Sequence, residues 1–131
     1  MLIIRPCKAS DLDDLMNISH AVGKGMTSMP ADEAAWQEKI SASAQAFNSA
    51  KPAADSNTYF MVLEDTATGH LAGTTAIYTG VGLKRPFYSY KISTLVSSSS
   101  DLDIIRKNQV LNIVNDYTGS TEVGSIYLLP E

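Results

Sequence analysis

Cysteine is almost absent from this sequence: Cys7 is the only one, so an intrachain disulfide is excluded. Cys7 follows Pro6 at the end of a short apolar run. A lone cysteine at the end of an apolar run is more often a packed residue than a reactive thiol. We therefore expect Cys7 to be packed and unreactive rather than a nucleophile.

Basic residues are also scarce, with ten Lys and Arg against fourteen Asp and Glu and a net charge of −4. No stretch is crowded with cations, which argues against nucleic acid as a partner. No apolar run approaches the roughly 20 residues that span a bilayer. The apolar start, residues 1–4, is too short for a signal peptide. We expect a cytoplasmic protein with no membrane partner and no metal site.

What is present suits one folded domain: 131 residues, of which 44% are hydrophobic. A domain of this size buries roughly two-thirds of its unfolded surface, which is enough for a core.

Two helices are predicted early in the chain. Ser10 begins the first, with Asp13 three residues later as an acidic variant of the capping box, and Gly23 and Gly25 end it. Asp32 or a neighbour caps the second helix. Its apolar stripe is more typical of a core than of a ligand site and consists of Trp36, Ile40, Ala44 and Phe47.

Strands are predicted around and after the helices. They are residues 2–6, 58–64, 70–79 and 87–96, followed by two strands on either side of a tight turn between residues 110 and 129. Residues 49–57 are interpreted as a flexible connection, 97–100 as an exposed loop and 101–107 as a short helical turn. This order predicts an α+β domain with an early helix pair packed on a mainly antiparallel sheet.

The last predicted strand, residues 124–129, is strongly apolar and lies close to the end of the sequence. A buried strand needs neighbours that cover both of its faces. We therefore expect this chain to be the N-terminal part of a longer protein.

Several short blocks occur in an order and spacing that resemble one known family. They are IRP at 4–6, SDLDDLM at 10–16, TSMPA at 27–31, VLED at 62–65, VGL at 81–83 and NDYTGSTE at 115–122. The family is arginine N-succinyltransferase, and the resemblance covers residues 1–131 as the N-terminal part of an acyl-CoA N-acyltransferase-like domain, an N-acetyltransferase-like half domain. The sequence departs from the family at Tyr117, where a His is usual.

The resemblance implies transfer of a succinyl group from succinyl-CoA to the α-amino group of L-arginine, in arginine catabolism. Succinyl-CoA would be a co-substrate, with no permanently bound cofactor. The family's proton-donor His would lie beyond residue 131, so His20 and His70 are not given that role and the catalytic residues stay unknown. The 131 residues alone are expected to be inactive.

Ile126 matches the family position that binds succinyl-CoA. Because its side chain is apolar, we predict that a main-chain N–H at or beside Ile126 stabilises the oxyanion. The alternative is an ordinary core isoleucine.

The acceptor side is predicted from polar residues in two segments. Asp116 and Glu122 flank a turn and suit a guanidinium, and Asn115 and Ser120 would add neutral hydrogen bonds. The same residue types serve any turn.

Thr27 and Ser28 would bind the substrate carboxylate at the N-terminus of the second helix, or else would only cap it. Lys84, Arg85 and Lys91 are the candidates in this chain for the partner of the succinyl carboxylate, and the alternative is a partner beyond residue 131.

Two other hypotheses about the function are compatible with the sequence. One is an ornithine/arginine succinyltransferase subunit, which no residue distinguishes from the arginine enzyme. The other is a non-catalytic module that binds an amino acid or a partner subunit. Assembly into a homo-oligomer is left open.

Overall fold

The computed structural model describes residues 1–50 and 56–130, which contain two α-helices and six strands. The helices are α1 (Leu12–Val22) and α2 (Glu33–Asn48), and the strands are β1 (Leu2–Pro6), β2 (Thr58–Asp65), β3 (Leu71–Tyr78), β4 (Ser89–Ser99), β5 (Ile104–Val114) and β6 (Glu122–Leu128). Short 3₁₀ turns, Ala9–Asp11 and Gly23–Gly25, flank α1. Residues 51–55 of the predicted connection lie outside the described residues.

Four strands form one antiparallel sheet in the order β1-β2-β3-β6. Both helices cover the sheet face that carries Phe60 and Val62, and the core lies between these layers. Leu15 and Ile18 of α1 and Trp36 of α2 are fully buried there. The predicted α+β architecture, with an early helix pair on an antiparallel sheet, is confirmed.

The start of α1 differs from the prediction. The acidic capping residue is Asp11 rather than Asp13, and it serves the 3₁₀ turn Ala9–Asp11 that precedes α1, because its carboxylate accepts the Lys8 N–H at 2.9 Å. Asp11 is also the residue before α1, but its side chain caps no N–H of that helix and instead binds Arg5. The end is as predicted: α1 stops before Gly23, whose φ of +66° is easy only for glycine.

The start of α2 is also as predicted, since the Asp32 carboxylate accepts the Ala35 N–H at 2.8 Å. Trp36 and Ile40 of the apolar stripe are buried. Phe47 lies at the rim, where its ring meets Tyr59 edge-on at 5.1 Å between centroids.

Strands β4 and β5 form a separate two-stranded sheet, paired from Ser89–Val114 to Ser99–Ile104. The prediction of a loop at residues 97–100 is therefore wrong for its first three serines, and residues 104–107 begin a strand instead of a helical turn. Cross-strand pairs such as Ser98 with Ile105 decide the outcome, because strand formation depends more on the partner than on intrinsic preference.

The last two strands are present, but they are not partners. β5 pairs with β4, whereas β6 pairs with β3, so residues 115–121 connect two different sheets rather than the arms of one hairpin. β6 is an edge strand of its sheet. Burial of both of its faces is not observed, because Val123, Ile126 and Leu128 are each more than 60% exposed.

Candidate functional site

Strand β6 carries a β-bulge at its centre. The register passes from Ala76–Gly124 to Thr74–Tyr127, so Ser125 and Ile126 together stand opposite one residue, Thr75. Ser125 has a φ of +51°, which is uncommon for a residue other than glycine. Bulges of this kind interrupt the ladder of hydrogen bonds and occur preferentially beside active sites. The bulge lies at the position where the sequence predicts a binding residue, Ile126.

Ser125 is 7% exposed, and three hydrogen bonds hold it. Its carbonyl accepts the Thr74 hydroxyl at 2.8 Å. Its own hydroxyl lies 2.5 Å from the Tyr78 hydroxyl and donates to Ser28 Oγ at 2.9 Å. The bulge is thus tied to strand β3 and to the loop that connects α1 and α2.

Lys39 extends this arrangement from helix α2. Its ammonium donates to the Tyr78 hydroxyl at 3.2 Å and to the Ser28 carbonyl. Three aromatic rings surround it, with centroids 4.8 Å (Phe60), 5.4 Å (Trp36) and 5.6 Å (Tyr78) from Nζ, distances at which a cation is attracted to a ring face. We call the group Ser28, Lys39, Tyr78 and Ser125 the Ser125 network.

The structure separates the two predicted residues Thr27 and Ser28. Ser28 belongs to the Ser125 network and accepts a hydrogen bond from Ser125, the residue that precedes Ile126. Thr27 lines a different cleft, shared with His20 and Lys24. Because Asp32 caps α2, neither residue lies at the helix N-terminus, and the capping alternative for Thr27 and Ser28 is wrong.

A small cleft of about 170 Å³ lies at the start of β6. It is lined by Val81, Phe87, Tyr117, Ser120, Thr121 and Glu122. Two backbone hydrogen bonds hold one wall of the cleft together. The Gly119 N–H donates to the Val81 carbonyl at 2.7 Å, and the Val81 N–H donates to the Ser120 carbonyl at 3.0 Å. Two of the predicted acceptor residues, Ser120 and Glu122, therefore share one cleft.

Asn115 and Asp116 are not among the residues that line this cleft. The Asn115 carbonyl accepts the Thr118 N–H within the turn, at 3.1 Å. Asp116 lies 3.5 Å from Lys91 Nζ, and both side chains are more than half exposed. Of the other predicted cations, Lys84 donates to the Ser56 carbonyl at 3.4 Å.

Gly124 connects the cleft to the Ser125 network. A Cβ at this position would lie 3.2 Å from the Tyr78 ring and 3.3 Å from Glu122 Oε1. The space that a side chain would need is thus already bordered by the Tyr78 ring and the Glu122 carboxylate. Glu122 and Tyr78 consequently lie on the same side of β6, next to the bulge.

The sequence reasoning missed Lys39, Tyr78 and Ser125. A signal was present for two of them: Ser125 is a polar residue inside an apolar strand, and Lys39 lies one turn after Trp36, on the core side of α2. Tyr78 gave no signal, because a tyrosine at the end of a strand is ordinary.

Other predictions concern groups away from the bulge. Cys7 is 5% exposed and burial raises the pKa of its thiol, as expected for a packed cysteine. Within residues 1–50 and 56–130, no group of three or more His, Cys, Asp or Glu side chains is placed to hold a metal ion. Neither helix of the described chain is long and apolar enough to cross a membrane.

Two helices on an antiparallel sheet with a bulged edge strand form an α+β half domain, and its close match to a solved succinyltransferase subunit makes this half domain acyltransferase-like. The family model of the arginine N-succinyltransferase beta subunit matches residues 2–131, and the chain belongs to that family. The resemblance of the sequence blocks to this family is thereby confirmed.

Individual relatives support the same family assignment. The chain is 38% identical over 131 residues to an arginine N-succinyltransferase of Escherichia coli and 37% identical to one of Citrobacter koseri. It is similar to a solved structure of arginine/ornithine succinyltransferase subunit AI from Pseudomonas aeruginosa, with a TM-score of 0.83, 37% identity, and coverage of 98% of this chain and 39% of that one. The chain spans 38% of the length of the curated relatives it matches.

Proposed function

We propose that residues 1–131 are the N-terminal part of an acyl-CoA N-acyltransferase-like domain in an arginine N-succinyltransferase. The reaction is transfer of succinyl from succinyl-CoA to the α-amino group of L-arginine. The observation that carries the proposal is the bulge at Ser125 and Ile126, on an edge strand of a chain that belongs to this family.

Acyl transfer from a thioester needs a donor for the carbonyl oxygen as it becomes an oxyanion. The bulge takes one residue of β6 out of the regular ladder with β3, and the main-chain N–H at or beside Ile126 becomes that donor. A donor fixed on a strand needs no reorganisation during the reaction. Removing one such donor typically lowers kcat by about 10²–10³-fold.

The acceptor side of the proposed site is the cleft beside Glu122. The Glu122 carboxylate suits the guanidinium of arginine, since this pair forms two parallel charge-assisted hydrogen bonds. Ser120 lines the same cleft and supplies a neutral hydrogen bond, and Ser28 lies next to the bulge through its contact with Ser125. Roles in substrate binding for Thr27, Asn115 and Asp116 stay predictions, as do the cytoplasmic location and the absence of a permanently bound cofactor.

The test uses the complete gene product that contains this chain, incubated with succinyl-CoA and either arginine or ornithine. Release of free CoA and the mass of the succinylated amino acid are measured. We expect succinylarginine. Consumption of ornithine at an equal rate would favour the arginine/ornithine succinyltransferase activity after which the similar Pseudomonas aeruginosa subunit is named. Binding of arginine with no release of CoA would favour a non-catalytic module instead.

A variant tests the acceptor side separately. Glu122→Gln should raise the KM for arginine by about tenfold, which corresponds to about 1.4 kcal/mol. Glu38→Gln, on an exposed part of α2, is the matched control and should leave KM unchanged. An unchanged KM in Glu122→Gln would remove Glu122 from the site.

A further inference from the structure

We propose that Lys39 and Tyr78 are positioning residues of the acyl-transfer site: through the Ser125 hydroxyl they fix the bulge and thereby the direction of the main-chain N–H at Ile126. This inference rests on the proposed function and adds two residues to it. It is carried by four side chains that meet from four different parts of the fold.

Ser125 has an unfavourable backbone conformation for its residue type. With φ at +51°, its Cβ lies close to the following carbonyl oxygen, a contact that glycine avoids because it has no Cβ. Such a conformation persists only where the surroundings determine it, and outliers of this kind gather at functional sites. The three hydrogen bonds that Ser125 makes with Thr74, Tyr78 and Ser28 are what determine it here.

The protons of the Ser125 network have one consistent direction. Lys39 has only donors, so the Tyr78 oxygen accepts from it. Ser125 donates to Ser28, so Tyr78 must donate its own proton to Ser125. Lys39 also donates to the Ser28 carbonyl, which closes the network into a ring. The Ser125 hydroxyl is therefore held from both sides.

The ring connects the bulge to rigid elements. Lys39 belongs to α2, Tyr78 to β3 and Ser125 to β6, whereas Ser28 lies in the loop that precedes α2. The aromatic rings of Trp36 and Phe60, both fully buried, hold the Lys39 ammonium in place. Movement of the bulge would consequently require movement of the core.

The decisive variant is Tyr78→Phe in the complete gene product, which keeps the ring and removes the hydroxyl. We expect kcat to fall by about tenfold while the KM for arginine stays within about twofold, because an interaction that serves only the transition state lowers kcat alone. Tyr59→Phe, a strand tyrosine at the rim of the core, is the matched control and should retain full kcat.

A double-mutant cycle separates positioning from a general structural effect. If Tyr78 acts through the Ser125 hydroxyl, Tyr78→Phe should cause no further loss of kcat in a Ser125→Ala background. Additive losses, or an unchanged kcat in Tyr78→Phe, would overturn the inference. Should Tyr78→Phe fail to fold, Lys39→Met with Lys39→Arg as the conservative variant repeats the cycle with the same criteria.

A readout that needs no activity keeps this inference distinct from the proposed function. In NMR spectra, the Ile126 amide resonance should shift and its hydrogen exchange should accelerate in Tyr78→Phe, and Tyr59→Phe should change neither. If the wild-type protein transfers no succinyl group, the proposed function fails and the amide measurement still decides the positioning. An Ile126 amide that is identical in wild type and Tyr78→Phe would refute it.

Discussion

The guanidinium of Arg5 binds the carboxylate of Asp11 through two parallel hydrogen bonds, from Nη1 to Oδ2 at 2.7 Å and from Nη2 to Oδ1 at 2.8 Å. Asp11 is 5% exposed and also accepts the Lys8 N–H, while Arg5 in addition bonds Glu64. Burial alone would raise the pKa of Asp11, but the hydrogen bonds from Arg5 and Lys8 outweigh burial and lower it. The pair fastens strand β1 to the start of α1.

Asp11→Asn should lower the free energy of unfolding by about 3 kcal/mol at pH 7, because it leaves a partly buried guanidinium without its main partner. The folded-state pKa of Asp11 lies below the unfolded value of about 3.9. Its contribution is therefore complete above that value and is lost as the pH falls through the folded pKa. Urea unfolding of wild type and Asp11→Asn between pH 7 and pH 3 should show the difference shrinking below about pH 4.

The control for this pair is Asp101→Asn, at the exposed tip of the β4–β5 hairpin, which should change stability by less than about 0.5 kcal/mol. A difference between wild type and Asp11→Asn that stays constant down to pH 3 would contradict the assigned direction of the pKa shift.

Ser19→Ala should destabilise the core. The Trp36 indole N–H, which is fully buried, donates to Ser19 Oγ at 2.9 Å, and Ser19 is itself 2% exposed. Without the hydroxyl the indole donor has lost its partner, a loss that costs about 1–3 kcal/mol. Urea unfolding followed by circular dichroism measures it, with Ser41→Ala on the exposed side of α2 as the control. Equal stability of the two variants would argue against a specific role for the Ser19 hydroxyl.

Gly73→Ala should disturb the pairing of β3 with β6. A Cβ at residue 73 would lie 2.4 Å from the Tyr127 carbonyl oxygen, and backbone atoms cannot move aside cheaply. We expect a loss of about 1–3 kcal/mol in the free energy of unfolding, with faster hydrogen exchange in β6. Gly25→Ala has open space around the added methyl group and should be close to neutral. Similar stabilities for the two variants would count against the close approach of β3 and β6.

The β4–β5 hairpin presents one apolar face to solvent. The register places Tyr90, Ile92, Val96, Ile105, Leu111 and Ile113 on that face, each more than 60% exposed. Ile92→Lys should therefore reduce the fluorescence of the dye ANS bound to the folded protein, without a change in far-UV circular dichroism. Asn108→Lys, on the opposite face, should leave the dye signal unchanged. Equal signals from both variants would show that this face does not bind the dye.

The elements with strong local signals could be predicted from the sequence. Gly23 ends α1 and Asp32 caps α2 because backbone geometry and capping are decided within a few residues. The run of serines from residue 97 carried no such signal. It becomes a strand only because it pairs with Ile104, Ile105 and Arg106, and a prediction from neighbouring residues alone does not include these pairing partners.

The candidate site could be predicted only in part. Ser28, Ser120 and Glu122 are predicted from their residue types and Ile126 from the family resemblance. In the structure Ser120 and Glu122 line the cleft at the start of β6, whereas Ser28 contacts the bulge that contains Ile126. Their connection through Lys39 and Tyr78 depends on pairing between β3 and β6, which the sequence reasoning replaced by a hairpin of the last two strands. Because the sequence-based prediction paired β6 with β5 instead of β3, it did not identify Lys39 and Tyr78 as neighbours of the bulge.

Trp36 is the only tryptophan in the chain, and its ring lies 5.4 Å from the Lys39 ammonium. The excited state of an indole responds to nearby charge, so the emission wavelength depends on where that ammonium stands. Any change that disturbs the hydrogen bonds of Lys39 to Tyr78 and Ser28 should therefore shift the wavelength of the emission. Within these 131 residues, Trp36 is therefore an intrinsic fluorophore that responds to the position of the Lys39 ammonium, and its emission can be measured without any label.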